Sequence, residues 1–171
     1  AFFNGLGTSN EPTGIFNVSG INSISPSSNG DAPTWALACQ MEKEIAIDNG
    51  IQGALAMVMN GATQYAFKTT PKVTAQPIYL IENNLVNGYP FFVSEQIPSN
   101  VTKGSSGATL SKAVLGYWPD FVVADWGTLE IVVDIYTYSN DGRTRVNFFQ
   151  DVDYACKHPT SFVSFADIIT A

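Results

Sequence analysis

Charge is what this 171-residue chain has least of: 13% of its residues are Asp, Glu, Lys or Arg, about half the usual share. Its eight basic residues are scattered and outnumbered by fifteen acidic ones, for a net charge of -7. Without a Lys/Arg cluster there is no footprint for gripping a nucleic-acid backbone. Two cysteines and one histidine cannot furnish a zinc site at the usual spacings. Cys39 and Cys156 lie far apart in the chain and read as buried thiols, which fits a reducing compartment. No Gly-x-Ser-x-Gly elbow is present, so His158, beside Pro159 at an element boundary, reads as structural. Asn4-Gly5-Leu6-Gly7-Thr8 lacks the Gly-Lys-Ser/Thr ending of a phosphate loop and reads as a turn. No apolar run approaches eighteen residues, and no signal peptide is evident. The start at Ala1 without Met is expected of a trimmed product. The expectation is a non-enzyme with no catalytic residue, cofactor, metal or membrane partner.

What is abundant is apolar and aromatic: 45% of the chain is hydrophobic, with 11 Phe, 7 Tyr and 3 Trp. That implies a large core or a surface made to be covered. The richest stretch runs from Leu129 to Cys156. Leu129–Tyr138 is dense in β-branched and aromatic residues, Ser139-Asn140-Asp141-Gly142 carries turn formers, and Arg143–Cys156 alternates with a period of two. A two-residue turn pairing Ser139 with Gly142 would set Ile135 opposite Val146, Val133 opposite Phe148 and Leu129 opposite Val152. Both apolar sets then share one face, whereas an odd-length loop would separate them. Ten residues at about 3.3 Å span roughly 33 Å, against a radius of gyration near 14 Å for a domain of about 130 residues. An isolated ribbon is marginal in water, so the hairpin should either be part of an ordinary large sheet or project with its apolar face covered by another element or another subunit. Glu130, Asp134, Asp151 and Asp153 fall on the opposite face, where that register sets Glu130 against Asp151.

Elsewhere the order is that of an α+β domain. Asp31 is placed to cap a helix with Pro33 in its first turn, and Leu37, Ala38, Met41 and Ile45 recur at helical spacing until Asn49-Gly50. Ala54–Met59 reads as a buried strand and Ala62–Thr69 as a second helix, the start of a sheet covered by helices. Pro77–Ile81 reads as weakly extended and Tyr89–Ser94 as a strand. Residues 98–107 should be a mobile loop. Ala113–Leu115 and Phe121–Ala124 are apolar runs, and Ser161–Ile169 should return as a terminal strand buried through Phe162 and Phe165.

The order of several short motifs carries a resemblance. Gly5-Leu6-Gly7-Thr8 with Pro12-Thr13-Gly14-Ile15 is similar to the Gly-x-Gly-Thr…Pro-x-Gly-Ile/Leu element of tailed-bacteriophage major capsid proteins with the Hong Kong 97-type shell fold. Leu85-Val86-Asn87-Gly88-Tyr89-Pro90-Phe91-Phe92-Val93-Ser94 looks like that family's Leu-x-Gly-x-Pro-Val-Val-x-Ser strand. Val114-Leu115-Gly116-Tyr117-Trp118 resembles its Leu-x-Gly-Asp-Phe element, with Tyr-Trp for Asp-Phe. His158-Pro159-Thr160-Ser161-Phe162 resembles its Arg-Pro-x-Ala-Phe ending, with His for Arg and Ser for Ala. These motifs are collinear over essentially the whole chain.

The resemblance implies a C-terminal fragment of a phage or prophage capsid protein. Residues 1–14 would be a linker from a missing spine-helix region, 15–127 with 157–171 an axial domain, and 128–156 a hairpin arm of the peripheral domain. It implies self-assembly into hexamers and pentamers that enclose DNA without specific nucleic-acid contacts, in the virion and before that in the host cytoplasm. Lacking the arm and extended loop that usually precede Gly-x-Gly-Thr, the chain alone should form no closed shell, only a monomer or weak small oligomer. The expected assembly residues are Ile131, Val133, Ile135, Val146, Phe148 and Val152. The Lys–Asn cross-link of some members is not carried over, because Gly142 stands at the acceptor position. An encapsulin-type compartment shell, or a β-rich adhesin module using Trp118 or Trp126, are the alternatives.

Overall fold

A computed structural model describes residues 2–25, 27–50, 53–74, 76–107 and 109–170; Ala1 and Ala171, the outer ends of two expected segments, lie outside them. In chain order the elements are β1 Asn22–Ile24, α1 Trp35–Ile47, β2 Ala56–Met59, α2 Gly61–Thr69, β3 Ile81–Glu82, β4 Leu85–Val86, β5 Tyr89–Val93, β6 Leu110–Gly116, β7 Phe121–Asp134, β8 Arg145–Cys156 and β9 Phe162–Ile169. Seven strands form a mixed sheet in the order β1-β9-β6-β2-β5-β4-β3, and β7 pairs with β8 alone.

Alternation along the central strands sorts side chains to two faces. Met57, Leu115 and Val163 share one rung, and Val58, Val114 and Ser164 the next. The first face is roofed by helices. Leu37, Met41 and Ile45 of α1 and Phe67 of α2 pack with Met57, Met59, Ala113, Leu115, Val163 and Phe165. Thr34, not Asp31, caps α1: its hydroxyl accepts from the Leu37 N–H at 3.3 Å. Asp31 lies at the sheet edge, its backbone bonding Asp167 and Ile169, four residues before the helix begins, and its carboxylate accepts from the Ala32 N–H instead. Asn60 caps α2 by accepting from the Thr63 N–H at 2.8 Å.

The second face is covered by the chain's own beginning. Phe3 and Ile15 pack with Val58, Ile97, Val114, Phe121 and Phe162, and the Ile15 and Phe16 N–H groups donate to the carbonyls of Phe2 and Phe3. Residues 2–14 therefore do not form a free linker; their aromatic side chains have a sheet face to cover. The segment expected at 77–81 yields only the two-residue β3. Positive φ at Asn83 and Asn84, and at Asn87 and Gly88, makes two successive tight turns that fold β3, β4 and β5 into a small meander. Residues 98–107 are tied down rather than loose. Lys103 pairs with buried Asp167, and Val101 exchanges backbone hydrogen bonds with Leu110.

Candidate assembly interface

The ribbon leaves the sheet through a neck of two single-turn 3₁₀ helices, Trp118–Asp120 and Pro159–Ser161. Both begin around a proline that presets φ for the turn. The turns are stitched together: Ser161 Oγ donates to the buried Asp120 carboxylate at 2.7 Å, and the Lys157 N–H donates to the Asp120 carbonyl at 2.8 Å. The Tyr117 N–H donates to the Ser161 carbonyl. Gly116 is required here because a Cβ would collide with the Phe162 ring. Phe2 packs edge-on against Phe121 and Tyr154, with centroids at 4.9 and 5.4 Å, and Trp118 Nε1 donates to the Ala56 carbonyl. The ribbon's root is thus anchored in the second core cluster. His158 is exposed in this neck, and its carbonyl accepts from the Ser161 N–H.

Beyond the root, β7 and β8 pair from Phe121↔Cys156 to Asp134↔Arg145. The ribbon starts at Phe121 rather than at 128: Asp125-Trp126-Gly127, read as a boundary, sits inside one continuous ladder. The register shifts between Trp126 and Glu130, where Gly127 takes φ +75° and the β7 side bulges. Above the bulge Val133 meets Val146 and Ile131 meets Phe148, two residues from the expected register. A shift of two preserves sidedness, so Ile131, Val133, Val146, Phe148 and Val152 still share a face. Glu130 consequently faces Phe149, and Asp151 faces Trp126, so the two carboxylates are not the directly opposed pair expected, although both lie beside the bulge.

The tip is not a two-residue turn. Asp134 ends the ladder early by accepting hydrogen bonds from the Tyr136 and Thr137 N–H groups at 2.9 and 3.1 Å and from the Thr137 hydroxyl. These bonds, with the positive charge of Arg145, hold its carboxyl below the usual carboxylate range. A 3₁₀ turn at Ser139–Asp141 and Gly142 in the left-handed region complete the loop. Ile135 therefore lies in the tip loop, off the two strands that carry the other five residues.

Beyond its root, nothing among the described residues covers this ribbon. Phe148, Val133 and Ile131 are 61%, 58% and 55% exposed, and Val152 nearer the root is half-buried. The opposite face carries a second exposed set, Trp126, Val132 and Phe149, of which the sequence reading singled out Trp126 alone. Gly127 inside a strand pattern was the available signal for the bulge that places Trp126 there. The cysteines are unpaired and half-buried, with burial the main influence raising both thiols. Among the described residues no His/Cys/Asp/Glu group is placed to hold a metal, and no helix is long and apolar enough to cross a membrane.

Comparison with known proteins adds three findings. A family model described as the phage capsid family matches residues 1–166. The major capsid protein of Halomonas phage phiHAP-1 is 25% identical over 158 residues, 92% of this chain and 24% of that protein. Among solved structures, the capsid of a native GTA particle superposes with a TM-score of 0.66 at 17% identity, over 97% of this chain and 59% of that one. The SrpI encapsulin of Synechococcus elongatus PCC 7942 gives 0.59 at 12% identity, over 93% of this chain and 57% of that one. The chain therefore spans about a quarter of the phage relative and under two thirds of the solved chains.

Proposed function

The chain belongs to the phage capsid family, and from that membership we propose that it is the axial domain and peripheral ribbon of a major capsid protein. Its fold is the α+β, Hong Kong 97-type fold of the similar solved capsids. In this reading the role is structural: the sheet domain clusters with copies of itself around capsomer centres, and the ribbon reaches onto neighbouring subunits. The shell encloses DNA, and its acidic balance confines that cargo without holding it. Subunits are made in the host cytoplasm and end in the virion. A compartment shell of the encapsulin kind shares the fold, but the family model favours a phage capsid.

One observation carries the reading: an apolar ribbon face left open in a molecule whose central strands β9, β6 and β2 are covered on both faces. Burying a Val, Ile or Phe side chain contributes roughly 1.5–3 kcal/mol, so Ile131, Val133, Val146 and Phe148 together form a strong association surface once a neighbour excludes water. Phe148→Asp in the full-length protein should cut the yield of closed particles, counted by electron microscopy, at least tenfold, leaving subunit thermal unfolding nearly unchanged. Normal assembly of that variant, or its outright unfolding, would overturn the ribbon's part in the shell.

A further inference from the structure

The other face of the ribbon is differently built. The bulge opens a notch of about 140 Å³ lined by Trp126, Gly127, Thr128, Glu130, Phe149 and Asp151. Two exposed aromatic rings and two carboxylates at the same notch are a receptor for a cation. The rings offer π faces and the carboxylates offer paired acceptors, a combination that suits a planar guanidinium better than an ammonium.

The chain's only two arginines, Arg143 and Arg145, sit at the ribbon's tip. Arg143 is already engaged, bonded to Asp141 at 2.5 Å and lying over the Tyr138 ring. Arg145 is not: its Nε donates to Asn147, and its Nη groups have no partner among the described residues. Its cross-strand neighbour Asp134 is occupied by the tip amides. Arg145 also lies on the notch face, since it shares the rung of Asp134, and Asn147, Phe149 and Asp151 follow it at alternate positions of β8. Along that strand the distance from Arg145 to Asp151 is about 20 Å.

One face thus carries a donor at one end and its receptor at the other, with Val132 and Phe149 between. Such a patch is complementary to itself: two ribbons laid antiparallel, face to face about a twofold axis near Asn147, put each Arg145 over the other's notch. We propose that the notch between Trp126 and Phe149 is a docking site for Arg145 of a second copy of this chain, forming a reciprocal ribbon–ribbon contact. The contact area is small, so a single pair associates weakly and gains strength by repetition across an assembly. The assignment deepens the shell reading but uses the face opposite Phe148.

The test is a charge swap in this chain, followed by sedimentation equilibrium at low salt and protein concentrations up to about 1 mM. Arg145→Glu and Glu130→Arg should each weaken self-association about tenfold, and the double variant should recover to within about threefold of the unmodified chain. Raising salt to about 0.5 M should erase the differences. Circular dichroism of each variant checks that the sheet domain is intact. Single variants indistinguishable from the unmodified chain, a double variant no better than the singles, or no association at all, would each overturn the assignment. If the swap fails while Phe148→Asp still blocks particles, the notch is lost and the shell reading stands. If the swap succeeds while Phe148→Asp particles form normally, the apolar face is lost and the notch stands.

Discussion

β8 and β9 are neighbouring strands, joined through the neck and built from similar residues, yet they meet opposite fates. Phe162 of β9 is wholly buried, whereas Phe148 of β8 is 61% exposed. The difference lies in what each strand finds on its two faces. β9 sits between β1 and β6, roofed by helices on one side and by Phe3 and Ile15 on the other. β8 has one partner, β7, and beyond its root no roof among the described residues. Alternation along a strand reports pairing and sidedness; coverage is supplied by other elements, and the described residues supply none to the outer ribbon.

The contrast is sharpest if the same substitution is made in both places. Phe162→Ala removes a ring packed on Gly116, Trp118 and Phe121, and should cost about 3–5 kcal/mol in urea unfolding. Phe148→Ala should cost less than about 1 kcal/mol in the same assay, because little around it collapses. Equal losses would mean that the ribbon and sheet share one core.

Between the two regions stands the neck, where a smaller effect is expected. Ser161→Ala removes the hydroxyl that bonds the buried Asp120 carboxylate and leaves that oxygen without a donor. The expected loss is about 1–3 kcal/mol, below the core substitution and above the ribbon one. Hydrogen exchange should show Lys157 and Phe121 amides opening sooner while α1 amides keep their protection. An unchanged exchange pattern would mean that the prolines alone hold the two turns.

Much of this was legible in the sequence, and the misses have physical causes. Leu37, Ala38, Met41 and Ile45 announced a helix because one buried stripe repeats at 3.6 residues, and that stripe is what packs on the sheet. The ribbon's sidedness was legible from its parity, but its register was not. A slip of two residues keeps every apolar side chain on its face, so hydrophobicity cannot tell Val133↔Phe148 from Val133↔Val146. The decision was made by the Asp134 carboxylate at the tip and by the bulge beside Gly127, both local hydrogen-bonding matters. The notch was missed for the same reason: Trp126 and Asp151 are partners only in the observed register. The first fourteen residues read as a linker because Gly, Asn and Pro dominate them, while the side chains among them that pack into the second core cluster are Phe2 and Phe3.

The two regions should also titrate differently, and at opposite ends of the pH scale. In the sheet domain the Tyr89 hydroxyl donates to Glu42 at 2.9 Å, joining β5 to α1. Burial first, then that hydrogen bond and the Glu42 charge, push its pKa up to about 12, from an ordinary value near 10. A raised pKa in the folded state means that the contribution is full below about pH 10 and is lost as pH climbs towards about 12. Global stability should therefore fall over that interval, and Tyr89→Phe should flatten the fall. At the ribbon tip the sign is reversed. Asp134 is held below the usual carboxylate range by the Thr137 hydroxyl, the Thr137 and Tyr136 amides and Arg145. Its contribution is present above the unfolded carboxylate value and is lost as pH falls through the lowered one. Because that carboxylate is exposed and the tip is remote from either core cluster, the loss should be local. NMR amide shifts of Tyr136 and Thr137 should move together in acid while urea midpoints barely change. Asp134→Asn should abolish the acid step in those amides without touching the alkaline limb. If acid instead unfolded the sheet at the pH where the tip amides move, ribbon and sheet would be one cooperative unit.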